Sequence, residues 1–155
     1  MGKIVLIINS CGIMKMKEKL KTELQRLGLM PIEEEFGIVF KYQMLNYIFF
    51  DSSDDDDYLN ICVPYVFEVD EDNILRVFAA VNNCNKILKV VKVVINEDHV
   101  WACYEAKLPK DISLEDVLIY AVHSLFVAHL EFVEQYEKLL LPEDDDPAEA
   151  TTLCS

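Results

Sequence analysis

Glycine, histidine and basic residues are the scarce components of this chain, and each shortage excludes a kind of site. The sequence has 4 Gly, too scattered to build a loop that cradles a phosphate. Its 3 His are His99, His123 and His129. Because six residues of helix turn through about 600°, the two histidines of the predicted last helix face different directions and do not share a metal. We therefore expect no catalytic residue, no metal site, no cofactor and no enzyme activity.

The cysteines also lack a recognisable pattern. Their number is 5, which is odd, and no two have the CxxC spacing of zinc and redox motifs. They are Cys11, Cys62, Cys84, Cys103 and Cys154. Since Cys62 and Cys103 fall inside predicted strands, we interpret the cysteines as buried, reduced thiols of a cytoplasmic protein, in preference to disulfides. His99 and Cys103 lie about 13 Å apart on one strand face, too far for a thiol nucleophile and its base.

The charge balance is strongly acidic. Asp and Glu number 28 against 14 Lys and Arg, which gives a formal net charge of -14 at pH 7. Such a field repels nucleic acid and anionic lipid, and it favours solubility or basic partners. No apolar run approaches the roughly 20 residues of a membrane-spanning helix. We expect a cytoplasmic protein that binds neither nucleic acid nor a membrane.

Composition divides the chain into one domain and two end segments. A length of 155 residues and a hydrophobic content of 52% suit a single folded domain, predicted over residues 14–141. Residues 1–13 hold an apolar run at 4–8 followed by residues of turn composition. Three interpretations of this segment stay open: a start set upstream of the real one, a short extra strand, or a loose match to a lipoprotein cleavage box. Residues 142–155 are predicted to be an acidic, flexible tail. The tail contains five acidic side chains, so residues 1–141 carry a formal charge of -9 out of the total of -14.

Hydrophobic periodicity predicts eight secondary-structure elements in the domain. In chain order they are a helix over residues 14–27, strands over 36–42, 44–50 and 58–66, a helix starting at 71–73, strands over 89–95 and 99–106, and a helix over 113–140. Gly28 is a helix stop, and Ser113 is the N-cap of the last helix. Residues 96–98 have turn composition and close the last two strands into an antiparallel hairpin. Pro64 cannot donate a ladder hydrogen bond, so its strand is an edge there or nearly finished.

Residues 54–57 are four consecutive aspartates, which invites a calcium hypothesis. A compact calcium cage needs carboxylates spaced so that alternate side chains converge, and this loop lacks the glycine and the distant Glu of that pattern. We interpret the run as a solvated loop whose charge discourages pairing of the neighbouring strand edges.

Apolar residues exceed what a lone domain of this size covers. Residues 44–50 are apolar on both strand faces. The last helix carries two apolar stripes side by side, whereas one stripe is enough to cover a sheet. The first is Leu114, Leu118, Ala121, Leu125, Ala128, Phe132 and Leu139, and the second is Ile119, Val122, Phe126 and Val133. This excess predicts either deep burial or a partner surface.

In the order and pattern of these elements the chain resembles the type III secretion chaperone-like (Tir chaperone-like) fold, and within it the bacterial YbjN-like group. The resemblance covers residues 14–140 and is carried by segments 36–50, 58–65, 73–82, 90–95, 100–105 and Leu108-Pro109 before the Ser113 helix. It implies an α+β fold of order α-β-β-β-α-β-β-α, with helices packed against an antiparallel sheet. It also implies a small, acidic, non-enzymatic homodimer that binds polypeptide segments along an apolar groove.

The resemblance further points to the central helix and the following hairpin as the dimer contact. Large aromatic side chains contribute most per residue at interfaces. Phe78, Trp101 and Tyr104 are therefore predicted to lie near a dimer or protein-binding interface, with ordinary core positions as the alternative.

Two classes of function stay open. The preferred one is a chaperone-like or regulatory protein-binding module with an unknown polypeptide client. The alternative is an acidic inhibitor or nucleic-acid mimic that occupies a basic protein. Salt separates the two, because a charge mimic loses its partner steeply as ionic strength rises and apolar binding does not.

Overall fold

The structure is a computed structural model that describes residues 14–52 and 54–141. Residues 1–13 and 142–155, for which the sequence predicts two end segments, lie outside the described residues. The described part of the chain holds three helices and six strands: α1 (Met16–Arg26), β1 (Ile32–Glu34), β2 (Gly37–Tyr42), β3 (Leu45–Phe50), β4 (Tyr58–Glu68), α2 (Ile74–Ile87), β5 (Val91–Asn96), β6 (His99–Lys107) and α3 (Leu114–Lys138).

The six described strands form one antiparallel sheet in the order β1-β2-β3-β4-β6-β5. β4 and β6, with 11 and 9 residues, are its longest strands and lie side by side. α2 leaves the end of β4 and leads to β5 at the far edge, and the β5–β6 hairpin then places β6 beside β4. The predicted α+β class, an antiparallel sheet with helices packed against it, is confirmed.

The predicted order of elements missed one strand, β1. The prediction had three strands before the central helix, whereas the sheet has four. β1 is three residues long and all of its side chains are exposed, so it has no alternation of buried and exposed positions for a pattern to detect. Backbone pairing holds it at the edge of the sheet, with Ile32 opposite Val39 and Glu34 opposite Gly37.

One face of the sheet is apolar and packs against the helices; we call it the inner face. Successive side chains of a strand point to opposite faces, so every second residue contributes to it. Its buried side chains are Ile38, Phe40, Tyr47, Phe49, Leu59, Ile61, Val63, Val91, Val93, Val100, Ala102 and Tyr104. α3 contacts β4, β5 and β6, while α2 contacts β5 and α1 contacts β2. The core of the molecule lies between this face and the three helices.

α3 uses mainly the first of its two predicted stripes for this packing. The buried members of that stripe are Leu118, Ala121, Leu125, Ala128 and Phe132. In the second stripe Val122 is buried, but Ile119 keeps 52% of its surface exposed. The length and mean hydropathy of α3 would also suit a membrane span, a test that core helices commonly pass. In this fold its apolar stripe packs against the sheet.

α1 ends at a glycine, as predicted. Gly28 has a φ of 78°, in the left-handed region that glycine adopts without steric cost. The Gly28 N–H donates to the Gln25 carbonyl at 3.0 Å, and the Leu29 N–H donates to the Leu24 carbonyl at 2.9 Å. These two bonds form the Schellman motif and satisfy carbonyls that the helix end would otherwise leave unpaired.

The other two helices begin at polar side chains. Ser113 Oγ accepts the backbone N–H of Asp116 at 3.3 Å, which confirms the predicted N-cap of α3. At α2 the carboxylate of Asp70 accepts the backbone N–H groups of Asp72 and Asn73, both at 2.9 Å. The acidic segment before α2 therefore satisfies backbone donors and favours the helix start electrostatically.

Candidate functional site

The opposite side of the sheet, which we call the outer face, is covered by none of the described helices. Its side chains on β2 to β6 include Val39, Ile48, Phe50, Asn60, Cys62, Lys92, Val94, Trp101, Cys103 and Glu105. Phe50, Cys62, Trp101 and Cys103 border a shallow depression in this face. When one face of an antiparallel sheet is exposed to water, the residues that point to that face are usually polar. This face instead carries a substantial share of apolar side chains.

Four aromatic rings form a continuous row across the outer face; this aromatic row is Phe36, Phe50, Trp101 and Tyr65. Ring centroids lie 5.9 Å apart for the first pair, 6.2 Å for the second and 5.7 Å for the third. Favourable aromatic pairs have centroids roughly 4.5–7 Å apart. Phe36 and Tyr65 are 47% and 67% exposed, so both ends of the row are open to solvent.

The position of Tyr65 depends on an irregularity in β4. The pairing of β4 with β6 is regular up to Val63, shifts, and resumes at Phe67. Pro64 lies at this interruption, but β4 then continues to its end and pairs again with β6. Tyr65 has a φ of 55°, a conformation that costs about 1–2 kcal/mol for a residue other than glycine. Bulges re-aim side chains, and this one sets the Tyr65 ring edge-on against Trp101.

Two ion pairs involve lysine side chains of the outer face. Lys92 Nζ and Glu105 Oε2 are 2.8 Å apart, and Lys107 Nζ and Asp55 Oδ2 are 2.9 Å apart. The hydrogen bond with Glu105 raises the pKa of Lys92 above its ordinary value. The hydrogen bond from Lys107 lowers the pKa of Asp55. Lys92 and Glu105 thus border the depression beside Phe50 and Trp101, and the aspartate run supplies the partner of Lys107.

The three predicted interface residues do not share one surface. Trp101 lies in the aromatic row on the outer face. Phe78 is 56% exposed on α2, on the other side of the sheet. Tyr104 points to the inner face, where it is 7% exposed and its ring lies edge-on to Tyr120 of α3 at 6.4 Å. Burial raises the pKa of Tyr104.

The sequence pattern does not identify Phe36, Phe50 and Tyr65 as parts of a common surface. One signal was available, because a segment that is apolar on both faces, residues 44–50, must place apolar side chains on the outer face. Phe50 is one of these. Tyr65 carried no such signal, since its orientation depends on the register shift beside Pro64.

A second apolar surface lies at the end of the molecule where α1 meets α3. Its groove is lined mainly by Leu27, Leu29, Tyr42, Leu118, Ile119, Val122 and His123. Met30 and Met44 nearby are 85% and 100% exposed. This groove holds no cluster of charged groups and no aromatic row.

The described residues offer no metal centre: within 14–52 and 54–141, no three His, Cys, Asp or Glu side chains come together as ligands. The thiols of Cys62, Cys84 and Cys103 are buried and free. Burial raises the pKa of Cys84 to about 11 and lowers the pKa of His129. The feature that distinguishes the outer face is its aromatic row.

Comparison with solved structures shows the class of fold, which is YbjN-like. The chain is similar to the crystal structure described as "YbjN, a putative transcription regulator from E. coli", with a TM-score of 0.59 and 13% identity over 78% of this chain and 91% of that one. It is also similar to an uncharacterized protein from Methanothermobacter thermautotrophicus, with a TM-score of 0.56 and 16% identity over 80% of this chain and 98% of that one. Neither is described as a secretion chaperone. No protein-family model matches the sequence, and the search of curated proteins gives no significant match.

Proposed function

We propose that this protein is a non-enzymatic protein-binding module, regulatory or chaperone-like, that forms a homodimer and binds a polypeptide segment on its outer face. The observation that carries the proposal is the aromatic row on a sheet face without a described covering helix. Contiguous exposed apolar surface marks interaction sites, and aromatic anchors supply much of the binding energy at interfaces. The YbjN-like fold and the regulator description of YbjN support the same class of function.

The proposal assigns the dimer contact to α2, away from the outer face. Leu75 and Phe78 are three residues apart and therefore share one helix face, where they are 81% and 56% exposed. The buried side of the same helix is Val77, Ala80 and Cys84. Because α2 packs on the inner side of the sheet, dimer formation and client binding use different surfaces and are separable by mutation.

An acidic inhibitor or nucleic-acid mimic is the second candidate, and the net charge of -14 favours it. The outer face itself argues for the first, because its charged groups include Lys92 and Lys107, each paired with a carboxylate. A mimic would use the acidic surface and leave the aromatic row unused.

The test is capture of a partner from lysate of the native cell by immobilised protein, at salt from about 0.1 to about 1 M. We expect the captured polypeptide to persist at high salt and to be lost with Trp101→Ser. Loss of the partner with rising salt, unaffected by Trp101→Ser, would establish the mimic instead.

Phe78→Ser is the matched control, since it also removes an exposed aromatic ring. We expect it to leave the affinity of one subunit for the captured polypeptide unchanged. Equal loss with both substitutions would show that the outer face is not the binding surface.

A further inference from the structure

Cys62 and Cys103 face each other on the neighbouring strands β4 and β6. They are direct cross-strand partners in the β4–β6 ladder. Both lie on the outer face beside Phe50 and Trp101, and they are 3% and 7% exposed with free thiols. The Cys62 thiol donates to Asn60 Oδ1 at 3.3 Å. Because the two thiols are direct cross-strand neighbours, they are positioned to react with each other.

The hydrogen-bond pattern of the sheet shows how closely this pair approaches. In a strand, alternate residues direct their backbone N–H and C=O to opposite neighbours. The Asp98 carbonyl accepts from Val69 at 2.7 Å and the Leu108 N–H donates to Asp57 at 2.8 Å, so even-numbered residues bond toward the β4 side. Odd-numbered Cys103 therefore bonds toward β5.

Cys62 and Cys103 thus form a non-hydrogen-bonded pair, the type whose side chains come closest. The Cα atoms of such pairs are about 4.5 Å apart. Disulfides span Cα distances of roughly 4.4–6.8 Å. The two sulfurs can therefore join with only a small adjustment of the strands.

The environments of the two thiols differ. Lys92 is the β5 partner of Cys103 in the sheet, so a positive charge lies beside that sulfur. The neighbouring Cys62 thiol and the charge of Lys92 lower the pKa of Cys103, while burial and the carboxylate of Glu105, which pairs with Lys92, oppose this shift. Contact with Cys103 and burial raise the pKa of Cys62. Because Lys92 is the β5 neighbour of Cys103 and not of Cys62, we assign Cys103 as the attacking thiol and Cys62 as the thiol that resolves its oxidised form.

We propose that Cys62 and Cys103 are a redox modification site that forms a reversible disulfide across β4 and β6 when the protein meets hydrogen peroxide. The Cys103 thiolate attacks the peroxide O–O bond and, with one proton taken up, becomes a sulfenic acid while one water leaves. The Cys62 sulfur then attacks the Cys103 sulfur, its proton goes to the departing hydroxyl, and a second water leaves. Two thiols and one peroxide thus give one disulfide and two waters. A dithiol reductant returns both thiols.

The test uses the reduced full chain treated with hydrogen peroxide, followed by alkylation of remaining thiols in denaturant and tryptic mass spectrometry. Trypsin separates Cys62, Cys84 and Cys103 into three peptides. We expect the Cys62 and Cys103 peptides to be cross-linked within one chain, to form on the order of tenfold faster than any modification of Cys84, and to be released by dithiothreitol. Cys84 is the internal control, since it is buried in the core with a raised pKa.

Two variants test the assigned roles. In Cys62→Ser the oxidised Cys103 should stop at a sulfenic acid that dimedone traps, and in Cys103→Ser oxidation of Cys62 should slow by a similar factor. Trp101, the single tryptophan, lies two residues from Cys103 on the same strand face, so its emission should change on oxidation of the wild type and not of either variant. Recovery of both peptides fully alkylated, or a cross-link between chains, would overturn the proposal.

Discussion

Gly37 shows the strictest constraint at the scale of a single residue. Its φ is 153°, and a Cβ added to it would overlap the backbone carbonyl oxygen of Phe49 on the neighbouring strand. Gly28 also has a positive φ, but a Cβ there would meet nothing within 4 Å. The close approach at Gly37 allows β2 and β3 to pair at the point where Phe36 and Phe50 meet.

We expect Gly37→Ala to lower the free energy of unfolding by about 3 kcal/mol or more, because the added methyl group forces the strands apart. Gly28→Ala should cost only about 1 kcal/mol, from its left-handed backbone alone. Urea denaturation of both variants measures the difference. Equal losses would show that strand separation is not the dominant cost.

His129 is a residue whose titration should affect stability. Its Nδ1 is buried with no hydrogen-bond partner among the described residues, and burial lowers its pKa below 6.5, the ordinary value. The unfolded chain therefore takes up a proton at a pH where the folded chain does not. The effect of His129 on the free energy of unfolding is therefore absent above the pKa of the unfolded chain. It becomes increasingly destabilising as the pH falls through about 6.5 toward the lower pKa of the folded chain.

We expect the melting temperature to fall on acidification from about pH 7.5 to about pH 5, and to fall less in His129→Gln. His123→Gln, an exposed position on the same helix, is the control and should keep the wild-type dependence. If both variants follow the wild type, other groups govern the acid response.

At the scale of elements, the edge strand β5 is covered by a side chain of α2. Asn85 Nδ2 donates to the Val93 carbonyl at 2.8 Å, and Asn85 Oδ1 accepts the Val93 N–H at 2.9 Å. One amide thus satisfies both backbone groups of a residue on the outward side of β5. Edge strands with unpaired backbone groups are templates for pairing with other chains.

Asn85→Ala should lower the free energy of unfolding by about 1–3 kcal/mol and increase self-association, because it exposes this backbone pair. Chemical denaturation and size-exclusion chromatography measure the two effects. Asn82→Ala, at an exposed position of the same helix, should leave the free energy of unfolding unchanged. An unaltered elution profile for Asn85→Ala would contradict the protective role.

At the scale of the whole molecule, apolar surface remains exposed on both sides of the sheet. The aromatic row occupies the outer face, and Leu75 with Phe78 form an apolar pair on α2. The proposed homodimer and client surface would cover these two regions separately.

Light scattering at micromolar concentration should give a mass of twice the 17.9 kDa chain. Phe78→Ser should shift the mass toward the monomer with little loss of stability, since Phe78 is exposed. Trp101→Ser should leave the mass unchanged. A wild-type monomer would refute the dimer, and a dimer dissolved by Trp101→Ser would move the contact to the outer face.

The sequence by itself determined the helices, most strands and the class of fold. Gly28 and Ser113 end and begin helices through bonds to residues within a few positions, and the stripe of α3 repeats every three or four residues. Such signals lie inside short windows, so they can be detected without knowing the fold. The same is true of the hairpin turn between β5 and β6.

Only the tertiary structure decided what lies together across the sheet. β1 pairs through its backbone alone, the orientation of Tyr65 follows a register shift, and Cys62 meets Cys103 across 41 positions of sequence. These contacts depend on strand order and register, which are set by how the whole inner face packs under the helices. No local pattern contains that information, so the aromatic row and the thiol pair became visible only when the strands were placed side by side.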